Sequence, residues 1–433
     1  MRRSNDSLPL SAARRLSSLA LCVAALAAPA PARAASPVDE AVSSGLRWLA
    51  RHQSPDGHWD ADGFEAKCHD LCGGAGHPLY DQGVTGLALL AFVESGLAPG
   101  AGDPELGLAV KRGLDWLRAV QDAEGCFTSR VAHNFTYSHA IATLAVARAL
   151  AETGDESLRA PLERAVRFIE RIRNPYKGWR YGVSPGDNDT SVTGWMVSAV
   201  AAARDAGVAV DGRVFENAQT FIDEMTDSTG KVGYTQRGSG PVRLDGAQNA
   251  FPPDQSESLT AEGLAASAAM GRKADHPTAA RQRDRVLRKP PRWDTAAGTI
   301  DLYYWYYGSL ALLRTGGDPE GSWVGALRSS LLPAQRKEGD RAGSWDPIDA
   351  WGETGGRIYS TTMATLALAH SRAIATGAPG AAAPEPPGDA ATRAILERLE
   401  KLERENEALR KKLDAMKKVL EEDGAPREGG AAR

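Results

Sequence analysis

The chain has 433 residues, with 51 basic and 55 acidic side chains and a net charge of −4, enough length for one large domain or two ordinary ones. Its composition is that of a soluble globular protein, and the acidic excess gives no electrostatic case for nucleic acid or an anionic membrane surface as partner. Alanine and leucine dominate and β-branched runs are scarce, which favours helix over strand.

The N-terminus reads as an export signal over residues 1–34. Arg2, Arg3, Arg14 and Arg15 form a basic head, an apolar run occupies 16–28, and Ala32, Arg33 and Ala34 end in an Ala-x-Ala site. The run is too short to span a bilayer comfortably, so cleavage and a periplasmic or secreted location are expected. The general secretory and twin-arginine routes both stay open. Cleavage removes five arginines and one aspartate, leaving 46 basic and 54 acidic side chains and a net charge of −8. Three cysteines then remain, Cys68, Cys72 and Cys126. Cys68 and Cys72 are close enough for a local disulfide, with free thiols as the alternative. His69 and His77 stand nearby, but Cys-His-x-x-Cys-x4-His matches no structural zinc signature well, and neither a metal centre nor a cofactor is expected.

From Val38 a pattern begins. Gly45, Trp48, Leu49, Gln53, Gly57 and Trp59 mark a helix that stops at a Pro-Asp-Gly turn. Gly113, Trp116, Leu117, Gln121, Gly125 and Phe127 repeat it position for position. A third copy ends at Gly178 and Trp179 without the glutamine. Looser copies occupy 218–234 and 326–345, the last keeping Gln335, Gly343 and Trp345. Between them lie helices of another type, at 81–95, 138–152, 189–204, 256–270, 301–314 and 359–375, apolar or small nearly all round. A helix without a polar face belongs on the inside, and the amphipathic copies belong outside. Six buried helices need six outer partners, which places the unseen fifth one within 278–288. Six repeats of 50–60 residues predict an all-α (α/α)6 toroid over 38–376, with a linear solenoid as the alternative.

Beyond it, Gly, Ala and Pro predict a linker at 377–390. At 391–421, Leu399, Asn406, Leu413 and Leu420 alternate with Ile395, Leu402, Leu409 and Met416 in a heptad seam. That pattern predicts a short coiled coil and a homodimer, with a solvated single helix or a different partner chain as the alternatives, followed by a disordered tail at 422–433.

The Gly-x-x-[Trp/Phe]-Leu-x3-Gln-x3-Gly-x-[Trp/Phe] element resembles the glutamine–tryptophan repeat of squalene and oxidosqualene cyclases, and is similar to the β-subunit repeat of protein prenyltransferases. The resemblance covers residues 40 to about 376. It implies a toroid whose inner helices gather their N-termini around a central cavity. It also implies that Gln53, Trp59, Gln121, Phe127, Trp179 and Trp345 tie neighbouring pairs together. The catalytic motifs are less well kept. Where the cyclases carry Asp-x-Asp-Asp-Thr, this chain reads Gly186, Asp187, Asn188, Asp189 and Thr190, so an amide occupies the proton donor's position. Where prenyltransferases place Asp-x-Cys-Tyr for zinc, Asp301 is kept and Tyr303 replaces the cysteine, and no histidine follows near Tyr359.

Asp187 and Asp189 are candidate acids, with helix capping as the alternative for Asp189, as for Asp81 and Asp301. His139 is a candidate general base or a hydrogen-bonded core histidine. Tyr137, Trp195, Tyr303, Tyr304 and Tyr307 are candidate ligand contacts or helix packing, since the run from Tyr303 to Tyr307 cannot all face one way. These features predict an exported protein that binds a lipid or glycan in an aromatic cavity, or an envelope scaffold. The alternatives are a class II terpene-cyclase-like enzyme and a polysaccharide lyase, the last requiring a basic cleft for which Arg180, Arg237 and Arg243 are available.

Overall fold

The computed structural model describes residues 35–377, apart from 71, 98–102 and 132–134. The expected export signal, linker beyond 377, coiled coil and tail lie outside the described residues. Within them run twelve α-helices: α1 (Pro37–Arg51), α2 (Asp81–Glu94), α3 (Pro104–Val120), α4 (Phe135–Thr153), α5 (Arg159–Ile172), α6 (Thr190–Asp205), α7 (Gly212–Met225), α8 (Ser258–Ala269), α9 (Pro277–Leu287), α10 (Leu302–Thr315), α11 (Ser322–Ala334) and α12 (Gly352–Thr376). The described residues contain one isolated bridge, Thr226 to Val232, and no strand.

The even-numbered helices form the inner ring. Helix α6 is buried on every side from Thr190 to Ala203, and α2 from Gly83 to Val93. A helix with no polar face satisfies itself only when surrounded. Each inner helix packs against two others, and α12 returns to α2 to close the circle. The odd-numbered helices form the outer layer. On α5, Leu162, Ala165, Val166, Phe168, Ile169 and Ile172 are buried at helical spacing while Arg167 and Arg171 are exposed. The fifth outer helix, α9, falls where the count of pairs requires it.

The repeated junction explains why the pairs stay in register. Trp59, Trp179 and Trp345 each donate an indole N–H back to their own outer helix, at Leu49, Ile169 and Leu331, over 2.8–2.9 Å. Gln53 and Gln121 reach across to the next outer helix, donating to Ala109 O (2.8 Å) and Pro161 O (2.8 Å). Gln335 makes the same bond to Ala41 O of α1 (2.8 Å), so the sixth pair is stitched to the first. The backbone N–H after each turn is taken by an inner-helix threonine, as in Trp59 to Thr85, Trp179 to Thr193 and Trp345 to Thr361.

The structure departs from the sequence expectation at two helix starts. Asp81 does not cap its helix; it is the first residue of α2 and accepts from Ala61 N–H (2.9 Å). Helix α12 starts seven residues before 359 and is broken at Gly356, whose φ of 70° interrupts the helical path.

Candidate functional site

The first turns of the inner helices surround a cavity of about 570 Å³. Leu87 of α2, Tyr137 and Ile141 of α4, Ser191 and Trp195 of α6, Leu259 of α8, Tyr303 of α10 and Tyr359 of α12 all face it. Loop residues Tyr80, Tyr181, Tyr234 and Trp351 complete an aromatic wall. Among the described residues no Asp, Glu, Lys, Arg or His lines it. The rim is apolar too, with Val131, Val242 and Leu244 exposed.

One side of the wall is polar. Asp189 is fully buried and caps α6, accepting from Val192 N–H (2.7 Å) and from the Ser191 hydroxyl (3.3 Å). Tyr234 donates its hydroxyl to the other carboxylate oxygen (3.1 Å) and shares a 2.6 Å bond with Tyr181. Tyr137 bonds Ser191. Four hydroxyls thus face the cavity, with one carboxyl behind them. Burial, against the opposing pull of these bonds, pushes Asp189 up from 3.8 to about 6. Asp187 lies elsewhere. It is exposed in the loop before α6 and ion-paired to Arg180, outside the lining. Arg180 Nε also lies 3.7 Å from Asp189, so this arginine links the two acids.

His139 occupies the junction position that threonine holds in other repeats. Its Nδ1 accepts from Phe127 N–H (3.2 Å), its ring packs on Phe168, and burial lowers its pKa to about 3. It does not face the cavity.

The aromatic run on α10 divides by helical rotation, since i and i+4 share a face. Tyr303 and Tyr307 point inward, their rings 4.9 Å apart and both against Trp195. Tyr303 reaches the lining, whereas Tyr307 packs beneath it. Tyr304 points outward, which removes it from the candidate contacts. Its hydroxyl donates to Val286 O (3.2 Å) and Lys289 O (2.9 Å), and its ring meets Trp323 edge-on. Tyr304→Phe therefore costs about 1–2 kcal/mol in chemical denaturation, because it strips a buried donor from two carbonyls. Tyr303→Phe loses no hydrogen-bond partner and is expected to stay within about 0.5 kcal/mol of wild type. Equal losses in the two variants would contradict this division.

Glu262 on α8 is a site residue that the sequence motifs do not single out. It is fully buried one turn below Leu259, and neither carboxyl oxygen has a hydrogen-bond partner among the protein atoms. Gly194 makes room for it; a Cβ there would stand 2.3 Å from Glu262 Oε1. The Tyr303 and Tyr307 hydroxyls approach without hydrogen-bond geometry, and burial pushes its pKa well above the ordinary carboxylate range, which favours the uncharged form. The available signal was a lone carboxylate in an otherwise uncharged helix.

No family model and no curated protein sequence matches the chain. Solved structures do match. A type II terpene cyclase from Scytonema, in complex with geranylgeranyl dihydroxybenzoate, superposes with a TM-score of 0.51 at 14% identity, covering 78% of this chain and 97% of its own. An unsaturated glucuronyl hydrolase specific for heparin gives 0.53 at 14%, covering 78% and 98%. Cellobiose 2-epimerase from Spirochaeta thermophila gives 0.51 at 13%, covering 78% and 96%. The chain thus has the (α/α)6 toroid fold that a terpene cyclase and these glycan enzymes share. Toroids of this kind carry both isoprenoid and glycan chemistry, and the likeness defines the fold alone.

Proposed function

We propose that the protein binds an isoprenoid-class lipid in its central cavity, with the chain against Trp195, Tyr303, Tyr359 and Leu259 and a polar end at the Tyr137, Ser191, Tyr181 and Tyr234 hydroxyls. The uncharged aromatic lining supports this most directly, because apolar surface rewards an apolar guest and a few placed hydroxyls orient it. A glycan hydrolase needs two facing carboxyl groups, and a uronate lyase needs cations. Arg243 is instead buried against Asp301 (3.0 Å), and Arg237 donates to Thr226 O (3.1 Å). Alkene protonation needs a strong acid, and a carboxyl raised to about 6 is a weak one, so binding is favoured over cyclisation. In this reading the leader exports the chain and the coiled coil pairs it.

Geranylgeraniol titrated into the full chain is expected to quench tryptophan fluorescence from Trp195 and Trp351. It is also expected to raise the melting temperature, since a ligand at 100 times its Kd stabilises by about 2.7 kcal/mol. Ile141→Trp, which fills the cavity, abolishes both effects. A response to cellotetraose or polygalacturonate in place of geranylgeraniol would overturn the proposal, and a cyclised product would revive the enzyme reading.

A further inference from the structure

A second cluster of chemistry-bearing side chains lies in the connection from α1 to α2. His52, just past the end of α1, is almost fully buried, with its ring stacked on Trp48 at 4.1 Å and edge-on to Phe64. Its Nδ1 lies 2.8 Å from Trp48 O. A carbonyl only accepts, so Nδ1 carries the proton and Nε2 keeps its lone pair. That lone pair faces sulfur: Nε2 is 3.4 Å from Cys68 Sγ and 3.7 Å from Cys72 Sγ. The two sulfurs are joined as a disulfide. Asp340 holds the intervening loop by accepting from the backbone N–H groups of His69 and Asp70.

The separations are those of a metal site short of one change. With zinc–nitrogen bonds of about 2.0–2.1 Å, zinc–sulfur bonds of about 2.3 Å and tetrahedral angles, nitrogen and sulfur ligands stand about 3.6 Å apart and two sulfurs about 3.8 Å apart. Both nitrogen–sulfur distances already fit, and only the two sulfurs must part. The histidine is also prepared as a ligand, because its second nitrogen donates to a backbone carbonyl, the usual way a metal-bound imidazole is oriented.

We propose that reduction of Cys68–Cys72 turns this clamp into a Zn²⁺ site made of two thiolates and the His52 imidazole. A dithiol reductant supplies two electrons and two protons; the S–S bond breaks to two thiols, and the reductant closes to its own disulfide. Zn²⁺ then binds both sulfurs with release of two protons and takes the His52 Nε2 lone pair. Three protein ligands leave the fourth tetrahedral position to solvent, the pattern of an open rather than a sealed site. Beyond Cys72 the chain runs to the cavity rim, where Arg357 Nε donates to Gly73 O (2.8 Å) and His77 N donates to Thr354 O (3.0 Å), Thr354 being part of the lining.

The test uses Co²⁺ as a spectroscopic stand-in, added anaerobically to the full chain after phosphine reduction. One Co²⁺ per chain is expected, with thiolate-to-cobalt charge transfer and the intense visible bands of a tetrahedral centre, both displaced by Zn²⁺. The oxidised chain shows neither. His52→Gln and Cys68→Ser each weaken binding at least about tenfold, with circular dichroism confirming that both fold. Absence of the charge-transfer band after reduction, or a band unchanged in both variants, overturns the proposal. So does cobalt bound without thiolate bands, which would place it at the Asp60, Asp62 and Asp81 carboxylates.

Discussion

Gly343→Ala is expected to lower the stability of the fold by about 3–5 kcal/mol, combining left-handed backbone strain with overpacking against a rigid neighbour. Gly343 has a φ of 99°, and a Cβ there would lie 2.3 Å from Ser44 O on α1. The obstacle is backbone, so no side-chain rotation relieves it. The same turn carries Gln335, which donates to Gly343 O (3.0 Å) and to Ala41 O (2.8 Å), and Trp345, which anchors to Leu331 O (2.9 Å). Displacing the turn strains the contact that joins the sixth helix pair to the first. A ring differs from a solenoid only in that contact, so its loss exposes two layer edges at once. Gly154→Ala is the control, because its φ is 65° but a Cβ there meets nothing within 4 Å; the cost should be about 1–2 kcal/mol. Denaturant midpoints measure both. Equal losses would mean that the closing junction is no more demanding than a surface turn.

Asp189→Asn is expected to remove a pH dependence worth roughly 3 kcal/mol, the free energy corresponding to a carboxyl held near 6 rather than 3.8. The sign follows from proton uptake. Between the ordinary carboxylate value and about 6 the folded protein holds a proton that the unfolded chain has lost. The resulting stability is fully present below 3.8 and is lost as pH rises through about 6. Asparagine keeps an oxygen for Val192 N–H and caps α6 comparably well, yet it never ionises. The difference in unfolding free energy between variant and wild type should therefore move in the variant's favour between pH 4 and pH 8, by about 1–3 kcal/mol once relaxation around the charge is allowed for. Taking the difference cancels Asp349, which burial and the neighbouring Asp301 push up to about 7. A lipid whose uncharged hydroxyl end meets Tyr137, Ser191 and Tyr234 displaces water from the carboxyl's surroundings, which disfavours the charged form further. Geranylgeraniol binding should tighten as pH falls through 6 in the wild type and be flat in Asp189→Asn. A constant stability difference across that range would show that Asp189 is solvated and ordinary.

Much of this architecture is legible in the sequence. The residues that carry the repeat, such as Gln53, Gly57, Trp59 and their counterparts, act within one junction of about fifteen residues, and local spacing therefore reveals them. The absence of a polar face on 81–95 or 189–204 placed those helices inside, because burial is a property of the whole helical circumference. Counting pairs even located α9, whose own sequence carries almost no signal. Tyr137, Trp195 and Tyr303 could be proposed as cavity residues because they stand near the starts of inner helices.

What the sequence left open has a common physical cause. Whether Tyr303 or Tyr304 faces the cavity depends on the rotation of α10, and a run of five aromatics has no polar residue to mark its inner face. In the sequence Asp187 is the acid without a capping alternative, but the tertiary structure exposes it to solvent beside Arg180 and seals Asp189, the helix cap, behind four hydroxyls. His139 resembled a base, until the fold put it on Phe127 N–H in the role that threonine plays elsewhere. Glu262 gained its meaning from Gly194, Tyr303 and Tyr307, three residues from two other helices. Pattern and period determined the repeat, the layers and the expectation of a closed ring, because those are set by contacts close along the chain. Only the closed ring decided which side chains share the cavity and which acids are desolvated, because desolvation is produced by residues far apart in sequence and adjacent in space.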